Sequence, residues 1–253
     1  MNRKKRDSKP VSYLPAILCI AAIVLFLICT AFPFVYALFA SIGGWKTLIL
    51  WSPEFLAAYF NTFLCTILIT AANILVSVPC AYFFRINRSR MKNVLYALYI
   101  VLLLLPYQAS MLPEYILADA AGLTDSLLSV IIPSAFAPLS VIILAQSFRS
   151  IPEDALEAFR LESSSLFREL VYIGLPCAKS GLICCGVLVF AGAWNMMERP
   201  ICLLSDQRLM LLQQYIGSAE GSVSFAAVII SVLAPFLLFL FSEEKLRSLI
   251  IAE

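Results

Sequence analysis

The sequence contains no histidine. That removes His-based catalytic triads, H-E-x-x-H zinc sites and histidine proton relays. It is also poor in charge. Asp, Glu, Lys and Arg make up 13% of the 253 residues, against roughly 25% in a soluble domain. The formal net charge of +2 gives no reason to expect a nucleic-acid partner. The eight cysteines show no C-x-x-C spacing, so they read as small core hydrophobes rather than redox or metal ligands. A G-x-x-x-x-G-K-[ST] loop is also missing, which leaves nothing in this chain to cradle a nucleotide's phosphates.

What the sequence has in abundance is apolar surface: 62% hydrophobic residues and a mean hydropathy of +0.93. One globular core cannot bury that much, so lipid must solvate it. A hydrocarbon layer of about 30 Å needs roughly 20 residues of helix. Six windows qualify, near 13–38, 60–83, 94–113, 127–145, 181–197 and 223–241. No β-type alternation appears. Pro33, Pro79, Pro106, Pro133, Pro138 and Pro235 are expected to kink or end helices. The expected fold is all-α, a polytopic membrane protein with six transmembrane helices in a single domain over residues 1–253. Its longest stretch outside lipid, about Gln146 to Ser180, is roughly 35 residues, too few to fold alone.

Charge placement orients the spans. Fifteen of the eighteen Lys and Arg residues fall on the side holding Met1 to Pro10, Arg85 to Lys92, Arg149 to Lys179, and Lys245 with Arg247. Lys46, Arg199 and Arg208 remain for the other side. The positive-inside rule then makes both termini cytoplasmic. The basic Met1 to Pro10 stretch is ordered like a signal peptide, but the apolar run after it is too long for a cleaved one, so it reads as a retained first span.

Inside the six windows there is no Asp, Glu, Lys or Arg. Ion-coupled carriers and pumps hold ionisable groups at membrane depth, so the driving force is expected to come from outside the spans. Asn61 and Asn73 read as hydrogen-bonding glue between helices, and Gly181, Gly186 and Gly192 as a small face for close helix packing. Trp194 and Asn195, at the outer end of the fifth span, are candidates for the translocation pathway. Trp194 reads equally as an interfacial anchor.

The loop over 149–176 is expected to form two short cytoplasmic helices. Ser150 and Glu153 have capping-box spacing, Pro152 suits a first turn, and Glu153 with Asp154 complements the helix dipole. Ile151, Ala155, Ala158 and Phe159 fall on one face, Ser163-Ser164-Ser165 break the helix, and a second segment follows from Leu166 to Ile173. The acidic residues Glu153, Asp154, Glu157, Glu162 and Glu169 outnumber Arg160 and Arg168, which disfavours adhesion to an anionic leaflet and favours a protein groove.

At these residues the sequence resembles the membrane subunits of binding-protein-dependent ABC importers. Glu157-Ala158-Phe159, Glu162, Ile173 and Leu175-Pro176 sit at the spacings of that family's cytoplasmic E-A-A loop. Phe159 stands for the second Ala, Glu162 for the usual Asp, Ser163 for the usual Gly and Ser180 for a common Pro. The resemblance continues along the chain and is nearest the carbohydrate branch, the maltose-transporter-like second permease. It runs through Asn61-Thr62, Ala81-Tyr82 with Arg85, Leu105-Pro106, Pro113 with Tyr115, Gly122-Leu123 with Asp125-Ser126, Ile151-Pro152, and Trp194-Asn195 with Pro200.

The resemblance implies a permease subunit in a bacterial plasma (inner) membrane that imports sugars or related carbohydrates by alternating access. The chain is then no enzyme and carries no cofactor, ATP-Mg being held by a partner. The implied partners are a second homologous permease, a cytoplasmic ABC ATPase dimer and an extracytoplasmic solute-binding protein. The ATPase dimer would bind the coupling-helix loop at Glu157, Ala158, Phe159, Glu162, Ser163, Leu175 and Pro176. The solute-binding protein would touch segments such as Gly43 to Ala58 and Arg199 to Ser222. The competing readings are a stand-alone secondary carrier or channel for a neutral solute, a membrane-embedded enzyme and an assembly scaffold. Uncharged spans and the lack of a visible inverted repeat disfavour the carrier. A Ser-Lys enzyme would need a lysine that the spans do not contain.

Overall fold

A computed structural model describes residues 14–46, 48, 52–87 and 89–251, with side chains between residues 18 and 243 of that set. The basic stretch Met1 to Pro10, Tyr13, Arg88 and the side chains of Lys245 and Arg247 lie outside the described residues. All regular structure among the described residues is helical. The helices are α1 Leu14–Ala40, α2 Pro53–Ile86, α3 Met91–Leu104, α4 Tyr107–Ala120, α5 Leu127–Ser134, α6 Pro138–Arg149, α7 Glu153–Glu162, α8 Leu166–Cys177, α9 Lys179–Trp194, α10 Glu198–Leu203, α11 Leu212–Ser218 and α12 Gly221–Ile251.

Helix α2 is the axis of the bundle, packed against α6, α9 and α5. Its 34 residues exceed the expected 60–83 window at both ends. Ser52 accepts from the Phe55 amide at 3.3 Å and Pro53 fills the first turn, a start the apolar window could not reveal. Three buried clusters run along it. Tyr82, Phe84, Leu144, Phe148, Ile151 and Leu156 form one at the loop end. Cys65, Ile69, Val130, Leu203 and Leu211 form the second, and Phe55, Trp194, Leu212 and Ala226 close the far end. Helix α1 is peripheral and contacts α12, where Tyr36 meets Phe225 edge-on at 5.6 Å.

Two windows are not straight spans. Helices α3 and α4 meet at 97°, and α8 meets α9 at 80°. Leu105 is extended (ψ 126) before Pro106, whose ring excludes the helical conformation for its neighbour. The third expected span is therefore a helix of 14 residues followed by a second, sharply turned one. Prolines inside α1, α2 and α12, namely Pro33, Pro79 and Pro235, do not end their helices. Between α5 and α6 the helical bonding lapses at Ala135–Ala137, flanked by Pro133 and Pro138. Asn73 of α2, fully buried, donates its amide to the Ala135 carbonyl at 3.1 Å, satisfying a group that water cannot reach.

The eight cysteines are free thiols, and their placement corrects the expectation of a core role for all of them. Cys65 and Cys185 are buried, whereas Cys19, Cys29 and Cys177 lie on the surface.

Candidate functional site

The segment between α6 and α9 folds into an elbow made of α7, an extended serine break and α8. Its start differs from the capping box expected at Ser150 and Glu153. Pro152 occupies the N-cap without a side-chain bond, and the Ser150 hydroxyl donates instead to the Ser147 carbonyl at 2.7 Å. Ser163 is extended (φ −147, ψ 132), so the serine at the position where the resemblance expects glycine sits in a conformation any residue adopts. Ser165 caps α8 by accepting from the Arg168 amide. The middle of α8 widens to a π-turn at Leu170–Gly174, a form that recurs at functional sites. Gly174 is buried there, and a Cβ on it would lie 3.3 Å from the Tyr82 ring.

The inner face of the elbow is bolted to α2. Leu156 is 1% exposed and packs beside Ile151 and Phe148. This corrects the expected face of Ile151, Ala155, Ala158 and Phe159, because Ala158 is exposed and Leu156 is the residue that inserts. Glu169 is 2% exposed. Its Oε1 accepts from Tyr82 Oη of α2 at 2.5 Å and from Arg160 Nη2 at 2.9 Å, while Oε2 accepts from Arg160 Nε at 2.8 Å. Hydrogen bonds from Arg160 hold the Glu169 carboxyl below the usual carboxylate range, and the Tyr82 hydroxyl adds to this against the opposing effect of burial. A second tie joins Arg85 of α2 to Glu153 Oε1 at 2.8 Å and to the Ile151 carbonyl at 2.9 Å.

The outer face is different. Glu157, Ala158 and Glu162 are exposed, beside Leu161 at 93%, Phe167 at 74% and Tyr172 at 67% exposure. Phe159, Ser163 and Leu175 are half-buried and Pro176 is exposed. The sequence-based count of acidic docking residues therefore includes two, Glu153 and Glu169, whose carboxylates bond within the chain. Tyr82 and Arg85 stand out in the sequence only as motif positions, and no local pattern marks Glu169 as buried.

At the far end of the bundle the candidate pathway residues part company. Trp194 is 1% exposed, donates its indole N–H to the Ser231 carbonyl at 2.9 Å, and lies between Tyr59 and Phe190. Asn195 is exposed. Its amide donates to the Ala191 carbonyl at 2.9 Å and its carbonyl accepts from Gln213 at 3.3 Å. It lines an open cavity of about 600 Å³ with Tyr107, Met196, Met197, Glu198 and Arg199.

Arg199, expected in an outer loop, is instead largely enclosed. Its Nε and Nη2 reach the two carboxylate oxygens of Glu114 at 2.8 Å each, Nη1 donates to Ser134 at 2.7 Å, and the guanidinium lies 4.8 Å from the Tyr107 ring centre. Glu114 lies one residue beyond the third window, where hydropathy gives no sign of it.

The segment from Arg199 to Ser222 folds over the bundle as a cap. Leu203, Leu204, Leu211 and Leu212 are buried, and Thr62 accepts from the Leu212 amide at 2.7 Å. Asn61 donates to the Arg208 carbonyl at 2.9 Å. Asp125, held at φ 55, accepts the amides of Ser205 and Asp206, a backbone conformation that Asp tolerates better than most residues.

No protein-family model matches the chain. It is 25% identical over 192 residues to the sn-glycerol-3-phosphate transport system permease protein UgpE of Pectobacterium atrosepticum, covering 73% of this chain and 68% of that protein. It is 23% identical over 192 residues to the lactose transport system permease protein LacG of Rhizobium radiobacter, covering 74% of this chain and 70% of that one. With UgpE of Yersinia enterocolitica it shares 28% over 147 residues, about half of that protein (52%). Among solved structures, a chain of a bacterial ABC transporter involved in the import of the acidic polysaccharide alginate superposes with a TM-score of 0.79 at 18% identity. That superposition covers 95% of this chain and 99% of the other. A further alginate ABC transporter structure, in complex with a pentasaccharide-bound periplasmic protein, gives 0.70 at 15% identity. The chain is thus similar, at 23–28% identity, to permeases of the sn-glycerol-3-phosphate and lactose transport systems, and it shares its multi-pass helical fold with a chain of the alginate ABC transporter.

Proposed function

We propose that the chain forms part of the membrane pathway of an ATP-driven importer for a carbohydrate or polyol-like solute, with both termini and the elbow in the cytoplasm. The observation that carries this reading is the two-sidedness of the elbow. One face is fastened to α2 through Leu156 and Glu169, and the other presents Leu161, Phe167 and Tyr172 to solvent among carboxylates. Large apolar side chains at such exposure on a charged loop are a protein-docking pattern rather than a solvated surface.

The occupant of that face is a cytoplasmic ATPase, present as a dimer and holding ATP-Mg, with Glu157, Ala158, Phe159, Glu162, Ser163, Leu175 and Pro176 at or beside the contact. A second, homologous permease completes the pathway, and an external solute-binding protein delivers the solute to the capped far end. Residues 1–253 act as one domain. Asn195 faces the pathway, and Trp194 contributes by fixing the end of α9 that carries it. The transport names of the glycerol-phosphate and lactose permeases support this solute class.

The reading is tested by deleting the chain from its own cell and measuring uptake of radiolabelled lactose, sn-glycerol 3-phosphate and a panel of neutral oligosaccharides. Loss of ATP-dependent uptake of one of them, restored by the intact chain, is expected. Uptake of every compound unchanged, together with no ATPase bound to the tagged chain, overturns it.

A further inference from the structure

Two kinds of contact join the elbow to α2, and they transmit force differently. Leu156 and its neighbours form an apolar contact, which resists approach but slides and separates gradually because it has no direction. The Glu169 carboxylate is fixed by three hydrogen bonds of 2.5, 2.8 and 2.9 Å from two elements, Tyr82 on α2 and Arg160 on α7. Bonds of this kind are short, directional and strengthened by charge, and they weaken steeply when displaced. The carboxylate is 2% exposed while Arg160 is 41% exposed, so separating α7 from α2 lets Arg160 turn to water but leaves a buried charge without its partners. The widened turn at Leu170–Gly174 brings Gly174 against the Tyr82 ring, so α8 approaches α2 closely at this point.

We propose that Glu169 is the tie through which a pull on α7, and not only a push, reaches α2, with Tyr82 and Arg160 as its positioning residues. The inference rests on the function proposed above, because it presumes an ATPase moving α7. A machine that cycles must draw the elbow back as well as press it inward. Arg85, 12% exposed, and Glu153, half exposed, form a second tie between α7 and α2.

The test uses the assembly isolated from its own membrane through a tag on this chain. All eight native cysteines are replaced by serine, and Glu54, exposed at the opposite end of α2, carries the reporter as Glu54→Cys. The rate of labelling by a water-soluble maleimide is measured with and without ATP-Mg and orthovanadate. The parent assembly is expected to change its labelling rate on vanadate trapping. In Tyr82→Phe, which removes one charge-assisted bond, that change is expected to shrink about tenfold, and in Glu169→Gln, which removes the charge behind all three, by at least as much, with the ATPase still co-purifying. Arg160→Lys, which keeps the charge but not the two-pronged geometry, is expected to fall between and serves if either other variant fails to accumulate. Variants that respond like the parent overturn the tie, and so does loss of ATPase from Tyr82→Phe, which would make the contact part of the dock. A parent that carries no ATPase at all overturns the proposed function instead.

Discussion

Gly181 and Gly192 share α9 and have opposite surroundings. A Cβ at Gly181 would lie 1.8 Å from the Ser147 hydroxyl oxygen and 2.6 Å from its Cβ, whereas one at Gly192 would meet nothing within 4 Å. Composition made the two look alike as a small packing face, and only the position of α6 separates them. Gly181→Ala should therefore destabilise the α6–α9 contact by about 1–3 kcal/mol, seen as a lower unfolding temperature in detergent, while Gly192→Ala should leave that temperature unchanged. Glu169 allows a second prediction at this scale. Its carboxyl titrates below the ordinary value of 4.5 because Arg160 and Tyr82 bond the charged form. The stabilisation is present above that ordinary value and is lost as pH falls through the lowered one. Unfolding temperature should drop in that acid window for the native chain and show a shallower drop for Glu169→Gln.

Among the elements, the elbow shows most plainly what a sequence can and cannot reveal. The two helices, the serine break between them and the exposure of Glu157 and Glu162 were all legible, because periodicity and motif spacing are local properties, whereas the capping box expected at Ser150 and Glu153 is not formed. The inserted residue was not. Leu156 and Ala155 are neighbours on a short helix, and which of them meets the bundle depends on where α2 and α6 place their side chains. Glu169 was invisible for the same reason, since its partner Tyr82 is 87 residues away. The break in the third span was legible at Pro106, expected to kink or end its helix, whereas the 97° turn was not, because hydropathy does not register direction. At the exposed face, Glu157→Lys should leave insertion and the unfolding temperature near native and reduce ATP-dependent uptake about tenfold or more, by reversing a charge where a partner groove would meet it. Native uptake in that variant, with normal ATPase retention, would remove Glu157 from the dock.

Across the whole molecule, the far end combines buried side chains such as Trp194 and Leu212 with a close approach of backbone at Gly44. A Cβ on Gly44 would come within 2.1 Å of the Ser222 carbonyl oxygen, so the turn after α1 fits against the start of α12 only because that side chain is absent. Gly44→Ala should force the two segments apart at a cost of about 3 kcal/mol or more, because the obstructing atoms are backbone and cannot rotate away. Faster proteolysis between α1 and α2 would report it. The large-scale plan, helices long and apolar enough to cross a membrane among the described residues, was readable from the hydropathy windows and the lack of β-type alternation. The capping role of residues 199–222 was not, since short apolar stretches such as Leu203-Leu204 and Leu211-Leu212 look the same whether they face lipid or close a bundle.

The length of α2 has a mechanical corollary. Thirty-four residues at 1.5 Å each make a rod of about 51 Å, some 20 Å longer than the hydrocarbon layer it crosses. Pivoted near one end, such a lever turns a tilt of about 5° into an arc of roughly 4 Å at the other. Tyr82 and Arg85 lie near one end of this rod, so a small tilt set at the elbow produces its largest displacement at the opposite end, beside Ser52 and Pro53.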